Sequence, residues 1–433
     1  MRHTLLSIII SACCSLTMTA QESIVLTQQE CRQMALQNNE DMKSADNKFT
    51  QAELDKYIAF TNYFPRIDAS ATGAYVSDIE ITGMELQMRG MYMAGITLTQ
   101  PIYAGGQIMA GNKLAKIGKE CAEENRKKTR MQIMADADKA YWTYITVQKK
   151  VDMLESYMRQ MDTLYTQVET GLRAGMSTEN DLLRIKAKRS EIKYQLQKAV
   201  NGQDLCRLSL CNVLGKPLDT QIMPADTVIT VTAPGQLDEN IETRPEFNLM
   251  RKQIEAEQQQ IKMARSEILP KIGLSAGYMY YGNVKMTTPV STPQGSYNYT
   301  EEFKDGISLA MLSISIPLVK WGEGLKKIKK AKLNLENARL DFQKNRRLLS
   351  IQARQAVQNL TDGYNMIETA QIGYDQACEN LRVMKNRYDN SMSSLTDLLD
   401  AQSQWHQAQS NLLEAKAQYM IYKTEYQYAT GKL

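Results

Sequence analysis

Residues 171–183 read GLRAGMSTENDLL, and residues 387–399 read RYDNSMSSLTDLL. In both segments a Met-Ser pair precedes an Asp-Leu-Leu run at the same spacing, and the two copies are separated by 216 positions. Each copy places a hydroxyl side chain, Thr178 or Ser394, three residues before an acid, which is a pattern that starts helices. The sequence therefore predicts the same helical hairpin turn twice.

The duplication extends over most of the chain. Pro101 and Pro317 are separated by the same 216 positions as the two turns, whereas Pro65 and Pro270 are separated by 205. The second half therefore carries an insertion of 11 residues, which we place between Tyr281 and Asp305. Self-similarity over such a distance predicts two copies of one structural unit.

Each half is expected to contain a helix, a strand, a loop, a second strand, a long helix, a tight turn and a returning helix. The first half predicts helices at about 27–62, 106–169 and 177–214 and strands at about 66–76 and 92–101. The second half predicts strands at about 271–282 and 306–316 and helices at about 322–387 and 393–430. At about 1.5 Å per residue, each long helix would extend for roughly 100 Å.

The strand segments alternate in polarity. In the first strand Ile67, Ala69 and Ala71 alternate with Asp68, Ser70 and Thr72. This alternation is typical of membrane β-barrels. Beyond the N-terminal segment no apolar run reaches the roughly 18 to 20 residues of a membrane-spanning helix, so a membrane crossing would use strands in a closed barrel. Four strands per chain are too few to enclose an aqueous channel, so closure requires several chains.

The first 20 residues combine a basic start, an apolar run and small residues, which predicts a secretory signal peptide cut after Ala20. Residues 10–13 also approximate a lipoprotein processing site, so lipidation of Cys13 stays open. Prolines and glycines mark a linker between the halves, with an extended piece at about 227–232. The expected divisions are a signal peptide at 1–20, a first repeat at 21–214, a linker at 215–241 and a second repeat at 242–433.

Composition argues against several functions. The chain has 52 Lys and Arg against 48 Asp and Glu, a net charge of +4, and this balance predicts no nucleic-acid partner. After cleavage His406 would be the only histidine, which excludes catalysis by several histidines and a histidine-rich metal site. We find no phosphate loop, nucleotide motif or clustered acid-base set, so we expect neither enzyme activity nor a cofactor. The five cysteines beyond the signal peptide are scattered, and we expect buried or free thiols.

The helix-strand-strand-helix-helix half, its tandem duplication and the proline before each strand resemble the outer-membrane channel subunits of the TolC family. The resemblance covers about residues 24–433. It implies a mainly α fold with a membrane β-barrel portion, in which three chains form a twelve-stranded β-barrel continued by an α-helical barrel. It also implies a passive outer-membrane conduit of a tripartite efflux or type I secretion system in a Gram-negative bacterium. The helical part would lie in the periplasm, and the partners would be outer-membrane lipid, a periplasmic adaptor (membrane fusion) protein and an inner-membrane pump.

The resemblance also assigns roles to the two turns, which in the family dock the adaptor and form the entrance gate. Asp397 and Asp400 correspond to an acidic pair that family channels point into the pore, and Asp181 and Tyr388 correspond to gate-constricting positions. A gate arginine of well-known members corresponds here to Ser393, so this chain must close differently. The expected docking residues are Gly171, Leu172, Gly175, Met176, Ser391 and Met392.

The residues alone leave alternatives open. Asp181 and Asp397 are also explained as helix-start acids in capping boxes. Asp397 and Asp400 share one helix face, and threefold symmetry would turn them into carboxylate rings that attract cations. For the whole chain, a structural or adhesive periplasmic coiled-coil protein explains the helices but leaves the alternating strands unexplained. A secreted helical enzyme has no acid-base set to support it.

Overall fold

The structure is a computed structural model, and it describes residues 23–81, 84–226 and 228–433. The predicted signal peptide and Cys13 lie outside the described residues. The chain divides into two compact units. A helical unit combines the chain up to Asn47 with 124–248 and 344–433, and a sheet unit combines 48–123 with 249–343.

The elements follow the order that the duplication predicts. The first half contains β1 (Ser23–Leu26), α1 (Gln28–Asn38), α2 (Glu40–Thr61), β2 (Arg66–Ile81), β3 (Met84–Ala104), α3 (Gln107–Arg173) and α4 (Glu179–Val213). The linker contains β4 (Gln221–Pro224), and the second half contains α5 (Pro245–Ser266), β5 (Lys271–Thr292), β6 (Gly295–Ser315), α6 (Glu323–Asp389) and α7 (Leu395–Ala429). The long helices α3 and α6 both have 67 residues, and the returning helices α4 and α7 both have 35. The equal lengths agree with the constant separation of 216 positions between the two copies.

The sheet unit contains a four-stranded antiparallel sheet in the order β2-β3-β5-β6. We expected loops at about 77–91 and 283–305, and this expectation is wrong, because strand pairing continues through most of both segments. Val284 is opposite Phe303 and Thr288 is opposite Tyr299, residue types that favour strands. The insertion of the second half thus lengthens a hairpin instead of forming a loop.

The two sides of the sheet differ in polarity. The register shows this, because residues directly opposite each other in antiparallel strands lie on the same side of the sheet. On one side Ile67 is opposite Leu98, and Ala94 is opposite Tyr280. The other side carries mainly small and polar residues, among them Asp68, Ser70, Thr97, Thr99 and Ser275. The predicted alternation is therefore confirmed.

Buried apolar clusters and the ion pair of Asp138 stabilise the helical unit. Tyr141 and Leu210 lie in a cluster that joins α3 and α4. The Asp138 carboxylate is buried and accepts hydrogen bonds from Arg32 Nε at 2.7 Å and from Thr424 Oγ1 at 2.6 Å. These bonds tie α1, α3 and α7 together and satisfy the buried charge.

One local expectation is wrong. The single helix expected at about 27–62 is divided at Asn39, whose extended backbone (ψ 133°) ends α1. The Asn39 side chain accepts from the Asp41 amide at 2.8 Å and donates to the Val213 carbonyl at 3.1 Å, so it starts α2 and holds α4. The piece expected to be extended at 227–232 belongs to neither a helix nor a ladder strand at 228–232, and Thr227 lies outside the described residues, so its extended conformation stays a prediction. The linker at 215–241 does contain a strand, β4, which pairs in parallel with β1.

The thiols agree with expectation: Cys31, Cys121, Cys206, Cys211 and Cys378 form no disulfide within the described part of the chain. Burial raises the pKa of the Cys31 thiol to about 12, which leaves it unreactive. None of the helices in the described part of the chain combines the length and the apolar composition that crossing a membrane requires.

Candidate functional site: the two hairpin tips

The first hairpin tip connects α3 to α4. The amide of Met176 donates to the Gly171 carbonyl at 2.7 Å, and the amide of Gly175 donates to the Leu172 carbonyl at 3.1 Å. Gly175 has a left-handed backbone with φ +75°. These two bonds form a Schellman motif, which satisfies carbonyl groups at the end of a helix.

The second tip connects α6 to α7 with the same pattern of bonds. The amide of Met392 donates to the Arg387 carbonyl at 2.7 Å, and the amide of Ser391 donates to the Tyr388 carbonyl at 2.9 Å. Ser391 adopts the left-handed conformation with φ +57°, although it is not glycine. The two tips are therefore equivalent in backbone geometry.

Both returning helices begin with a capping box. In α4 the Thr178 hydroxyl donates to Asp181 Oδ2 at 2.7 Å and accepts from the Asp181 amide at 3.2 Å. In α7 the Ser394 hydroxyl and Asp397 repeat these distances. The capping interpretation of the two acids is therefore confirmed, and a second role in the pore stays a prediction.

The residues expected to dock an adaptor lie together at each tip. Met176 is 85% exposed and Met392 is 70% exposed, so neither side chain belongs to a core within one chain. Gly171 and Leu172 are half-buried, and Gly175 and Ser391 are exposed. A Cβ atom at Gly171 would lie 2.6 Å from Ser177 Oγ, so a side chain there would require the Ser177 hydroxyl to rotate away, whereas the second tip has Arg387 at the equivalent position.

The start of α7 has an apolar and an acidic face. Leu395, Leu398 and Leu399 are buried in a cluster with residues of α3 and α4. Asp397 and Asp400 are exposed, as expected for two acids that share one helix face. Hydrogen bonds from the Ser394 hydroxyl and then its amide hold the pKa of Asp397 below its usual range. We therefore expect Asp397 to be ionised at neutral pH.

Of the two residues expected to constrict the gate, Tyr388 is close enough to Asp181 to be affected by its charge. Tyr388 of α6 is half-buried and packs against the cluster that contains the start of α7. Burial, and second the charge of Asp181 on α4, raise the pKa of the Tyr388 hydroxyl. Tyr388 therefore lies within electrostatic reach of the first tip.

Contacts between the hairpins include some that the sequence does not predict. Arg184 of α4 donates to the Thr396 hydroxyl of α7, and Lys188 Nζ lies 3.3 Å from Ser403 Oγ. Ser393, at the position of the family arginine, donates to the Met384 carbonyl at 3.5 Å within its own hairpin. No spacing or composition signal connects residues 184 and 396, because the contact depends on how the two hairpins pack.

His406 lies further along α7 in a buried aromatic contact. Its ring centroid is 3.5 Å from that of Tyr157 and 4.6 Å from that of Trp405. Neither ring nitrogen of His406 has a hydrogen-bond partner among the described residues. Burial, and second the charge of Lys188, lower the pKa of His406 to about 4. The sequence identified His406 only as a lone histidine.

Comparisons with known proteins agree with this geometry. The model of the family described as "Outer membrane efflux protein" matches residues 31–215 and 237–431. The solvent efflux pump outer membrane protein SrpC of Pseudomonas putida is 22% identical over 399 residues, which cover 88% of this chain and 79% of SrpC. The proteases secretion protein PrtF of Dickeya chrysanthemi is 20% identical over 427 residues, which cover 93% of this chain and 87% of PrtF. The CmeC outer membrane channel of Campylobacter jejuni superposes with a TM-score of 0.76 at 18% identity, covering 94% of this chain and 85% of CmeC.

The duplicated hairpins and the two-sided sheet define a channel subunit of the outer membrane, with its helical part in the periplasm. The chain belongs to the outer membrane efflux protein family. This family consists of conduits and not of enzymes. A structural coiled-coil protein is the weaker explanation, because the strands form one continuous sheet whose two sides differ in polarity.

Proposed function

We propose that three copies of this chain form a passive duct that accepts cargo from an inner-membrane pump through a periplasmic adaptor and releases it outside. The names of SrpC and PrtF refer to solvent efflux and protease secretion, so the duct would serve a tripartite efflux or a type I secretion system. The energy would come from the pump. In this proposal the repeats at 21–214 and 242–433 each contribute one strand hairpin and one tip, joined by a linker at 215–241.

The two unpaired edges of the sheet are the observation that supports a trimer. Within the described residues β2 and β6 each pair on one side only, so the backbone groups of their outer edges have no partner strand. Unpaired edges are unfavourable in a bilayer, where water does not satisfy them. Three copies joined from β6 of one chain to β2 of the next would give twelve strands and leave no edge.

The two tips support docking of an adaptor. Met176 and Met392 occupy equivalent positions after the left-handed residue, and both are exposed. A trimer would present six such methionines in a ring of two alternating kinds. Exposed methionines suit a partner surface because their side chains adapt to its shape.

The acids at the start of α7 support a gate. Under threefold symmetry Asp397 and Asp400 would each form a ring of three carboxylates around the entrance. Such rings attract cations, whereas Ser393 supplies no positive charge to neutralise them. In this proposal closure depends on Tyr388, Asp181 and the contact between Arg184 and Thr396.

Fractionation and electrophoresis test the trimer. We expect the mature chain in the outer-membrane fraction, migrating as a trimer in unheated dodecyl sulfate gels and as a monomer after boiling. The purified trimer should conduct ions in planar bilayers. A monomer in the periplasmic fraction would overturn the proposed function.

A further inference from the structure

An apolar patch interrupts the polar side of the sheet. Its members are Met93 on β3, Met279 on β5, and Ile307, Leu309 and Met311 on β6. The register assigns them to this side, since Met279 is opposite Ile307, Leu309 is opposite Gly277 and Met311 is opposite Ser275. The strand β6 is thus apolar on both sides, because Leu312 and Ile314 point to the other one.

The patch is open to solvent within one chain. Leu309 is 61% exposed, Met311 50% and Met279 44%. Two glycines border it, and a Cβ atom at Gly95 or Gly277 would lie 2.8 Å from a backbone carbonyl oxygen of the neighbouring strand. Side chains are therefore excluded from the adjoining positions, and the patch stays uncovered.

The surroundings of the patch are polar and include charge. On β2 the same side carries Arg66, whose Nε is 2.9 Å from the Asp68 carboxylate. Asp305 on β6 lies one step beyond Ile307 on the same side, opposite Tyr281. Lys271, opposite Ser315, lies on the same side beyond the other end of the patch, so the two ends differ in charge. Such a surface suits a ligand that combines an apolar body with a positive charge directed towards Asp305.

The other candidates for covering the patch have places elsewhere on the sheet. Lipid would contact the opposite side, which is apolar on all four strands. Neighbouring chains would join at the edges of β2 and β6 through backbone bonds. What remains for the polar side is the water of the duct and whatever passes through it.

We infer that this patch binds the apolar part of amphipathic cations on the inner wall of the duct. The inference rests on the proposed function, because only a closed trimer gives the sheet an inner wall. Three patches would line the wall, alternating with three copies of the Arg66–Asp68 pair. The unbranched thioether side chains of Met93, Met279 and Met311 adapt to different shapes, so the patch would accept many molecules of this class.

Photolabelling of the purified trimer in lipid nanodiscs tests the inference. The probe is (4-benzoylbenzyl)trimethylammonium, whose excited ketone abstracts a hydrogen from a nearby C–H bond before the two carbon radicals join. We expect labelled Met279, located by peptide mass spectrometry. An excess of tetrabutylammonium should remove this label, whereas tetramethylammonium at the same concentration should leave it.

Two variants on β6 separate the patch from the rest of the sheet. Leu309→Thr combined with Met311→Thr keeps good strand formers and should lower the probe affinity measured at Met279 roughly tenfold, about 1.4 kcal/mol. Ser308→Thr changes the same strand on the opposite side and should leave the labelling unchanged.

Channel conductance, measured on the same preparations, reports separately on the proposed function. A conducting trimer whose Met279 label is insensitive to the double variant or to tetrabutylammonium would overturn the inference. A conducting trimer without any label at Met279 would do the same, because another protein segment or lipid would then cover the patch. Loss of conductance in the parent protein would instead sink the proposed duct.

Discussion

Gly175 and Ser391 occupy the same left-handed position of the two tips, with φ +75° and +57°, although only the first is glycine. Both positions donate the second hydrogen bond of a Schellman motif. A residue with a Cβ atom in this conformation costs roughly 1 kcal/mol relative to glycine. The second tip is therefore intrinsically the less stable of two turns that are otherwise equivalent.

Replacing the residue at this left-handed position should destabilise the first tip and stabilise the second. Gly175→Ala should weaken the first tip by about 1 kcal/mol, and Ser391→Gly should strengthen the second by a similar or smaller amount. Hydrogen exchange of the Met176 and Met392 amides measures the effect. About 1 kcal/mol corresponds to a roughly fivefold change in the opening equilibrium.

Each variant serves as the control for the other, because the unchanged tip of the same molecule should exchange as in the parent protein. Faster exchange of the Met392 amide in Ser391→Gly would contradict the assignment of strain to this residue.

The exposed methionines should contact the adaptor. A photoreactive phenylalanine at position 176 or 392 should crosslink in cells to one periplasmic protein, identified by mass spectrometry. Met176→Ser with Met392→Ser should reduce export without lowering the amount of trimer in the outer membrane, because both side chains are exposed and support no core.

Met109 on α3 provides the matched control for docking, since it is an exposed methionine, at 58%, far along the chain from either tip. Crosslinker at position 109 should not capture the same protein, and Met109→Ser should leave export unchanged. Equal capture at positions 109 and 176 would show that the tips have no special affinity for the adaptor.

The duplication explains why so much of the fold was predictable. Residues 101–215 align without a gap with residues 317–431, at a constant separation of 216 positions. The position of the turn in one half therefore predicted the position of the turn in the other. The capping boxes were predictable because they depend on residues three apart, which the chain brings together by itself. Period-two alternation likewise identified the first part of β2, the second part of β3 and the two sides of these strands.

What the sequence did not reveal depends on contacts between distant residues or on backbone strain. Pro289 interrupts the pattern of β5, yet it is paired with Asn298 of β6, and the strand continues on both sides of a register shift between Tyr281 and Val284. The break at Asn39 depends on its bond to the Val213 carbonyl, and the link from Arg184 to Thr396 joins residues 212 positions apart. Ser391 has a residue type that gives no sign of its left-handed backbone.

The acids at the start of α7 should bind a multivalent cation in the trimer. Three copies of Asp397 and Asp400 would concentrate negative charge at the entrance, and a trivalent cation relieves the repulsion among them. Single-channel current in planar bilayers, with hexaamminecobalt(III) added on the periplasmic side, should show block of the parent protein. Asp397→Ala with Asp400→Ala should relieve it.

The capping box requires a control, because Asp397 also starts the helix. Asp397→Asn removes the charge and keeps an acceptor for the Ser394 amide, while Asp400→Ala touches no cap. Relief by these two changes together would assign the block to charge. Equal block of the parent and of both double variants would leave Asp397 as a helix-start acid only.

His406 should make the stability of the helical unit depend on pH. The neutral imidazole is buried against Tyr157 and Trp405, and its pKa is lowered from 6.5 to about 4. The charged group that acts on His406 is Lys188 of α4, while Tyr157 of α3 is neutral because burial, and second the charge of Glu191, raise its pKa to about 12. Protonation would therefore place a charge beside Lys188 in a contact without a hydrogen-bond acceptor for it.

The direction of the effect follows from proton binding in the two states. Below pH 6.5 the unfolded chain binds a proton at His406, whereas the folded chain binds it only at about pH 4. The contribution of neutral His406 to the free energy of unfolding is therefore fully present above pH 6.5 and decreases as the pH falls towards 4. Between pH 7.5 and 5.0 the loss should be about 2 kcal/mol per chain, since one pKa unit corresponds to about 1.4 kcal/mol. Guanidinium unfolding of the trimer, followed by far-ultraviolet circular dichroism, measures this loss.

His406→Phe is the control, because it keeps an aromatic ring in the contact and cannot be protonated. From pH 7.5 to 5.0 its free energy of unfolding should fall by about 2 kcal/mol less than that of the parent protein. The contributions of all other titrating groups cancel in this comparison. An equal loss in the parent and in His406→Phe would show that the packing of α7 does not depend on the protonation of this histidine.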